Sequence, residues 1–259
     1  MNVDVVLNLI MTAVMFLVFL GTLWLLRTEK REARTVLFAF AVACMLLSGL
    51  YWLSYGVLRP GTRMPFAANE IAESAMFLLF GAALNTKNRD YANHKKDIFF
   101  TALFTLANVA LWIAWSGEWV DDILTGLTIG YFFYALVVWI KQTNSFPKWE
   151  WRIICVFSLV LFGTQAAIFW VPEWLKVPFD YFCYAIMMGM EAFLMFRAFR
   201  TLFVPERTKF AVADTFAAYA WTQIALFMSS GAFYYVDILL FTMCIPMMLL
   251  ALKKEATAV

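Results

Sequence analysis

The sequence predicts an all-α integral membrane protein, a polytopic bundle of about nine transmembrane helices, and three observations support this. Of its 259 residues, 64% are hydrophobic and the mean hydropathy is +0.76, whereas soluble domains are closer to half apolar. Charged residues amount to only 15% and fall in short stretches between long apolar runs. Those runs are continuous rather than alternating, which argues for helices and against a β-barrel. Finally, the basic residues gather in every second inter-run segment, as they do when one set of loops faces the cytoplasm.

A spanning helix takes about 20 apolar residues. Residues 4–26 form the first such run; with no basic leader and no small-residue cleavage site, they read as a retained span. The run 35–58 follows the charged stretch "RTEKREAR", and the run 65–86 contains Glu70 and Glu73. The run 97–116 follows a basic loop that holds the one histidine, His94, read as a solvated loop residue. Next comes 122–140, preceded by the acidic "GEWVDD" and carrying the small-residue pair Gly126 and Gly130. Four-residue spacing of glycines lets two helices approach closely, either within the chain or between two copies. The runs 153–171 and 177–196 are joined across Pro172.

From Asp214 to Lys253 there is hardly a polar break. One helix of that length would be roughly 60 Å long, about twice the hydrocarbon thickness. The chain must fold back, and Ser229-Ser230-Gly231 offers the best turn. The result is two spans, 213–230 and 233–252, with Pro246 kinking the last; without the turn the count is eight. With the N-terminus outside and the C-terminus inside, only Arg59, Arg63 and Lys176 of the 20 Lys and Arg lie on the outer side. Trp119, Trp149, Trp151 and Trp174 then sit near helix ends, where interfacial aromatics belong. The whole chain, 1–259, reads as a single transmembrane domain in the cell membrane, since no polar stretch is long enough to fold a soluble core.

Two segments resemble each other, "YWLSYGVLRPGTRMPF" and "FWVPEWLKVPF". Each has an aromatic pair, a short loop with proline, and Pro-Phe opening the next span. Four spans separate them, as in a parallel internal repeat.

The candidate functional residues are polar groups inside these spans. An ionisable side chain at mid-bilayer costs about 2.5–3.5 kcal/mol on insertion scales, so several in one small protein point to a site. Counting at 1.5 Å per residue places Glu70 and Glu73 roughly 8 to 13 Å below the outer surface. They are three residues apart, on one helix face. Gln165 and Tyr51 reach a similar depth, with Ser48, Thr125 and Thr128, and Asp180 and Asp237 lie nearer the outer mouth. Two carboxyls so close would share a proton or bind a cation. The competing reading is structural: interhelical hydrogen bonds, or pairing with Arg59 or Arg63. Asn108 near the midplane, with Glu191 and Gln223 in the inner half, would form an inner relay; Arg197 or Gln223 could instead simply pair with Glu191.

The absences narrow the field. Cys44, Cys155, Cys183 and Cys244 form no CxxC pair and read as small buried hydrophobes. One histidine excludes bis-histidine haem and histidine-rich di-iron chemistry. No lysine lies within a span, which excludes a retinal Schiff base. No HExxH, P-loop or nucleic-acid module occurs. No cofactor, resident metal or nucleic-acid partner is expected; the expected partners are the lipid bilayer, a small solute or cation, and a second membrane subunit. The function so predicted is a small-solute or cation transporter, or a transport subunit, with Glu70, Glu73, Gln165, Tyr51, Asp180 and Asp237 as ligands. The alternative is a sensor or assembly subunit that binds a ligand, lipid or partner and transports nothing. An enzyme acting on lipid is a third reading; acid–base work would suit paired carboxyls, but no nucleophile or metal constellation accompanies them.

Overall fold

The computed structural model of the protein describes residues 3–28, 32–58, 68–86, 94–116 and 119–257. Among these residues the regular elements are all helical. They are α1 (Val3–Thr28), α2 (Ala33–Leu58), α3 (Ala68–Asn85), α4 (His94–Ser116), α5 (Trp119–Thr143), α6 (Lys148–Ala167), α7 (Glu173–Phe203), α8 (Ala211–Met228) and α9 (Gly231–Thr257), with one 3-10 segment, Pro205–Phe210, before α8. Arg59, Arg63 and the second half of the first repeat-like segment fall outside the described residues.

The molecule is a polytopic helical membrane protein. Seven helices, α1, α2, α4 to α7 and α9, are long and apolar enough to cross a membrane. Their outward faces carry Leu17, Trp24, Phe40, Leu103, Leu106, Leu127, Leu159 and Phe196, each more than half exposed. A surface of that kind is stable against lipid tails, not water.

Nine spans are expected from the sequence; α3 and α8 are present as helices, but neither meets the apolar standard of the other seven. The physical reason is their place in the bundle. Every residue of α8 from Ala211 to Ala225 is buried. Such a helix meets protein on all sides, so it can carry Asp214, Thr215, Thr222 and Gln223 where a lipid-facing helix could not. α3 presents only a narrow apolar stripe outward, Ile71 and Leu78, while Phe77, Phe80 and Leu84 point into the core.

Consecutive helices run antiparallel where they touch. Val5 and Thr12 of α1 meet Gly56 and Gly49 of α2, and Thr105 and Val109 of α4 meet Gly130 and Gly126 of α5. Glu150 of α6 meets Arg197 of α7, which also meets Asp214 of α8, and Thr222 of α8 meets Cys244 of α9. The first and last helices are neighbours and run parallel, with Gly21 against Leu249. We call the end where α1 begins the upper end, and the end where α9 finishes the lower end.

The core is an aromatic knot. Phe38 of α2, Phe80 of α3, Phe132 of α5 and Phe216 and Tyr219 of α8 lie with ring centroids 5.4 to 6.3 Å apart. Those spacings suit edge-to-face and offset contacts. The Tyr219 hydroxyl, fully buried, reaches Met76 Sδ at 3.3 Å.

The glycine pair of α5 makes an internal contact. A Cβ on Gly130 would stand 2.7 Å from Thr105 Oγ1 and 2.8 Å from its methyl, and one on Gly126 would overlap Val109. Both neighbours are β-branched and stiff at χ1, so they cannot swing aside. Gly130→Val is therefore expected to lower stability by about 1–3 kcal/mol through overpacking, read as an earlier thermal unfolding midpoint in detergent. An unchanged midpoint would mean that α4 and α5 do not meet here.

The fold-back expected near Ser229 is present. α8 ends at Met228, Ser229 is extended, and α9 opens on Gly231 with φ +59. That backbone conformation favours glycine.

α7 differs from expectation in length. It has 31 residues rather than the 20 of the predicted span, beginning at Glu173 and carrying Pro178 in its second turn. Tyr184, eleven residues into α7, shares a 2.7 Å hydrogen bond with Ser230 at the start of α9. The α6–α7 hairpin thus projects past the α8–α9 turn by roughly 16 Å at 1.5 Å per residue. Its tip carries Trp170 and Trp174, 80% and 79% exposed.

Candidate functional site

At the upper end, Glu73 is held between helices. Its Oε1 accepts from Ser48 Oγ at 2.7 Å and more weakly from Trp52 Nε1 at 3.4 Å, both on α2. Ser48 and Trp52 are one turn apart and so share the α2 face that meets α3. Glu70, one turn above, lies toward Asp121 in the first turn of α5. Tyr51 stacks on Tyr55 along α2, with centroids 5.9 Å apart. Glu73 is thus hydrogen-bonded from α3 to α2.

A cavity of about 430 Å³ opens where the α6–α7 hairpin leaves the bundle. Gln165 of α6 and Asp180, Cys183 and Tyr184 of α7 line it, with Ala114 of α4, Met228 of α8 and Ser230 at the turn. The volume lies within the ~300–1,000 Å³ typical of small-ligand sites. Two expected site residues, Gln165 and Asp180, therefore line one cavity. Glu70, Glu73 and Tyr51 are not among the residues lining this cavity.

The same α7 face continues inward. Asp180, Tyr184, Met187 and Glu191 recur at intervals of four, three and four, so they form one stripe. Below the cavity floor Met187 is fully buried, and then comes Glu191, 1% exposed. Facing it from α9 is Asp237, 0% exposed, with Ser229 close to Asp237. All four carboxyl oxygens of this pair lack a hydrogen-bond donor among the described residues, and no Lys or Arg pairs with either group.

The expected depths of these two residues need correction. Glu191 was expected in the inner half as a relay, and Asp237 near the outer mouth, yet they lie at one level. Counting from residue 177 assumes that α7 starts flush with its neighbours. Because α7 starts at Glu173 and stands proud of the α8–α9 turn, its nineteenth residue sits level with the seventh of α9.

The rest of the inner relay does not assemble. Asn108 donates to Phe104 O at 2.8 Å, within its own helix. Gln223 is buried on α8 and is not hydrogen-bonded to the Glu191 carboxyl. Arg197 does not pair with Glu191 either.

Instead Arg197 anchors the lower end. Its Nη1 pairs with Glu150, and its Nη2 donates to Ser145 O at 2.8 Å and to both Asp214 oxygens at 3.2 Å. Its guanidinium lies 4.1 Å from the Phe146 ring centre. One side chain thus ties α6, α7, α8 and the α5–α6 loop. Nearby, Arg34 of α2 pairs with Glu255 of α9 and covers the Trp139 ring of α5 at 4.2 Å. The sequence reading missed Glu150; its signal was a lone acid, "KWEWR", in an otherwise basic segment.

Among the described residues no group of three or more His, Cys, Asp or Glu is gathered to hold a metal ion. Comparison with family models, with curated proteins and with solved structures finds no match to the chain.

Proposed function

We propose that the protein is a cell-membrane carrier for a small cation or cationic solute, with all nine helices crossing as one transmembrane domain and the upper end facing outside. The observation that carries this reading is the stripe on α7, which leads from an open cavity bearing Gln165 and Asp180 to two enclosed carboxyls that no Lys or Arg among the described residues pairs with. A static scaffold would gain nothing from such a pair, since burying unpaired carboxyls is costly. The antiparallel order of the helices and the one-sided distribution of Lys and Arg support nine crossings. α8 crosses inside a sleeve of other helices and α3 turns only a narrow stripe outward, which relieves both of the need to be lipophilic all round.

Asp180 and Gln165 would receive the cation, with the Tyr184 ring offering a cation–π face. Glu73 would fix α3 against α2, and Glu70 would add negative field at the entrance. The sensor or assembly reading has one observation in its favour, the bare tryptophans at the hairpin tip, which suit contact with a partner.

The test is uptake by proteoliposomes of labelled sodium, potassium and small alkylammonium ions. Asp180→Asn is expected to lower uptake about tenfold, equivalent to about 1.4 kcal/mol of lost interaction, while the variant stays folded. Absence of flux for every ion with folded wild-type protein would overturn carriage and favour the assembly reading.

A further inference from the structure

We propose that Glu191 and Asp237 form a proton-carrying site: the two carboxyl groups hold one exchangeable proton between them, and cation uptake from the cavity is coupled to its release. The coupling rests on the carrier reading above; the shared proton does not.

Both side chains are at most 1% exposed, and their four oxygens receive no hydrogen bond from any described donor. Two negative charges enclosed side by side, with no counter-charge, are strongly disfavoured. Among the described residues no Lys or Arg pairs with either carboxyl. From α7 the stripe offers Met187 above Glu191, and from α9 the Cys244 thiol lies toward Glu191, itself in contact with Met195 Sδ at 3.4 Å. At the α8–α9 turn the Ser229 hydroxyl lies close to Asp237. Something must bring positive charge to the pair, and its chemistry selects what.

Sodium or calcium does not fit the donor set. Hard cations take about six or more oxygen ligands, whereas beyond the two carboxyls the only oxygen donor that the described residues place beside this pair is the Ser229 hydroxyl. A proton needs only two oxygens. With one proton, one carboxyl becomes a donor and the other its acceptor, which also satisfies two of the orphaned oxygens. The proton's exit is toward the cavity: Met187 is the single side chain of the stripe between Glu191 and Tyr184, and methionine is flexible enough to swing aside.

The coupling follows from charge. When the proton leaves to water in the cavity, the enclosed pair gains a full negative charge. A cation held by Asp180 and Gln165 on the same face stabilises that state, and its absence stabilises the protonated one. By linkage, cation binding promotes proton release to the same degree that protonation opposes cation binding. The two ions therefore move in opposite directions.

The experiment is infrared spectroscopy of the full-length protein in proteoliposomes at neutral pH. Wild type is expected to show the carbonyl stretch of a protonated carboxyl that shifts on transfer to D2O. The isosteric double variant Glu191→Gln with Asp237→Asn is expected to lose one such band. A wild-type spectrum without any protonated-carboxyl band, or an unchanged band in the double variant, overturns the proton site whatever the flux shows. An enclosed pH dye reads the coupling: uptake of alkylammonium by wild type is expected to drive protons out, and the double variant to abolish that movement. If the band behaves as expected but no ion moves, the carrier reading fails and the proton site stands.

Discussion

Arg197→Ala is expected to cost about 3–5 kcal/mol of stability, the scale seen when one partner of a buried charge network is removed. The variant would leave Glu150 and Asp214 enclosed and unpaired, 7% and 1% exposed. It would also free the Ser145 carbonyl and the Phe146 ring, and so loosen the α5–α6 loop from α7. Lysine at 197 is expected to recover only part of the loss, because an ammonium cannot reach three acceptors in a planar fork. The informative control is the triple change Arg197→Met, Glu150→Gln and Asp214→Asn. Replacing a whole buried ionic group by neutral residues of similar size is often harmless, so the triple variant should unfold at a higher temperature than Arg197→Ala. Thermal unfolding in detergent measures all three. Equal midpoints for Arg197→Ala and wild type would show that the network contributes nothing.

Phe80→Ala carries the second large effect, again about 3–5 kcal/mol. The ring is fully buried and touches Phe38, Phe132, Phe216 and Tyr219. In lipid there is no hydrophobic drive between helices, so packing itself holds them together. A void at Phe80 removes contacts to α2, α5 and α8 at once. The contrast is Leu78→Ala, two residues away. Leu78 is 46% exposed on the outward face of α3, and hydrocarbon tails refill the space its side chain leaves. Its unfolding midpoint should stay near wild type. Equal losses at both positions would place the aromatic knot elsewhere.

Much of the helix set was legible because each signal was local. Continuous apolar runs announced most helices, the Ser229-Ser230-Gly231 turn needed only its own three residues, and the glycine spacing of α5 marked a close contact. The choice between an internal partner and a second copy was not local; it depended on Thr105 and Val109, more than 15 residues earlier in the chain. The candidate site was legible only in composition. Gln165 and Asp180, expected at somewhat different depths, line one cavity because α6 and α7 form a hairpin. Glu191 and Asp237 were separated because they belong to different hairpins, and the axial offset between hairpins leaves no trace in either sequence. The same limitation hid the tie from Ser48 to Glu73 and the role of Glu150: a hydrogen-bond partner is set by which helix faces rotate toward one another.

The parallel run of α1 beside α9 has a consequence for engineering. Although these helices are neighbours, the start of one and the finish of the other lie at opposite ends of the bundle. α9 has 27 residues and so measures about 40 Å at 1.5 Å per residue. A peptide tether joining the two would have to thread the hydrocarbon itself, which demands another complete helix rather than a flexible loop. Two reporter halves placed at Val3 and at Thr257 are therefore expected not to meet within one molecule.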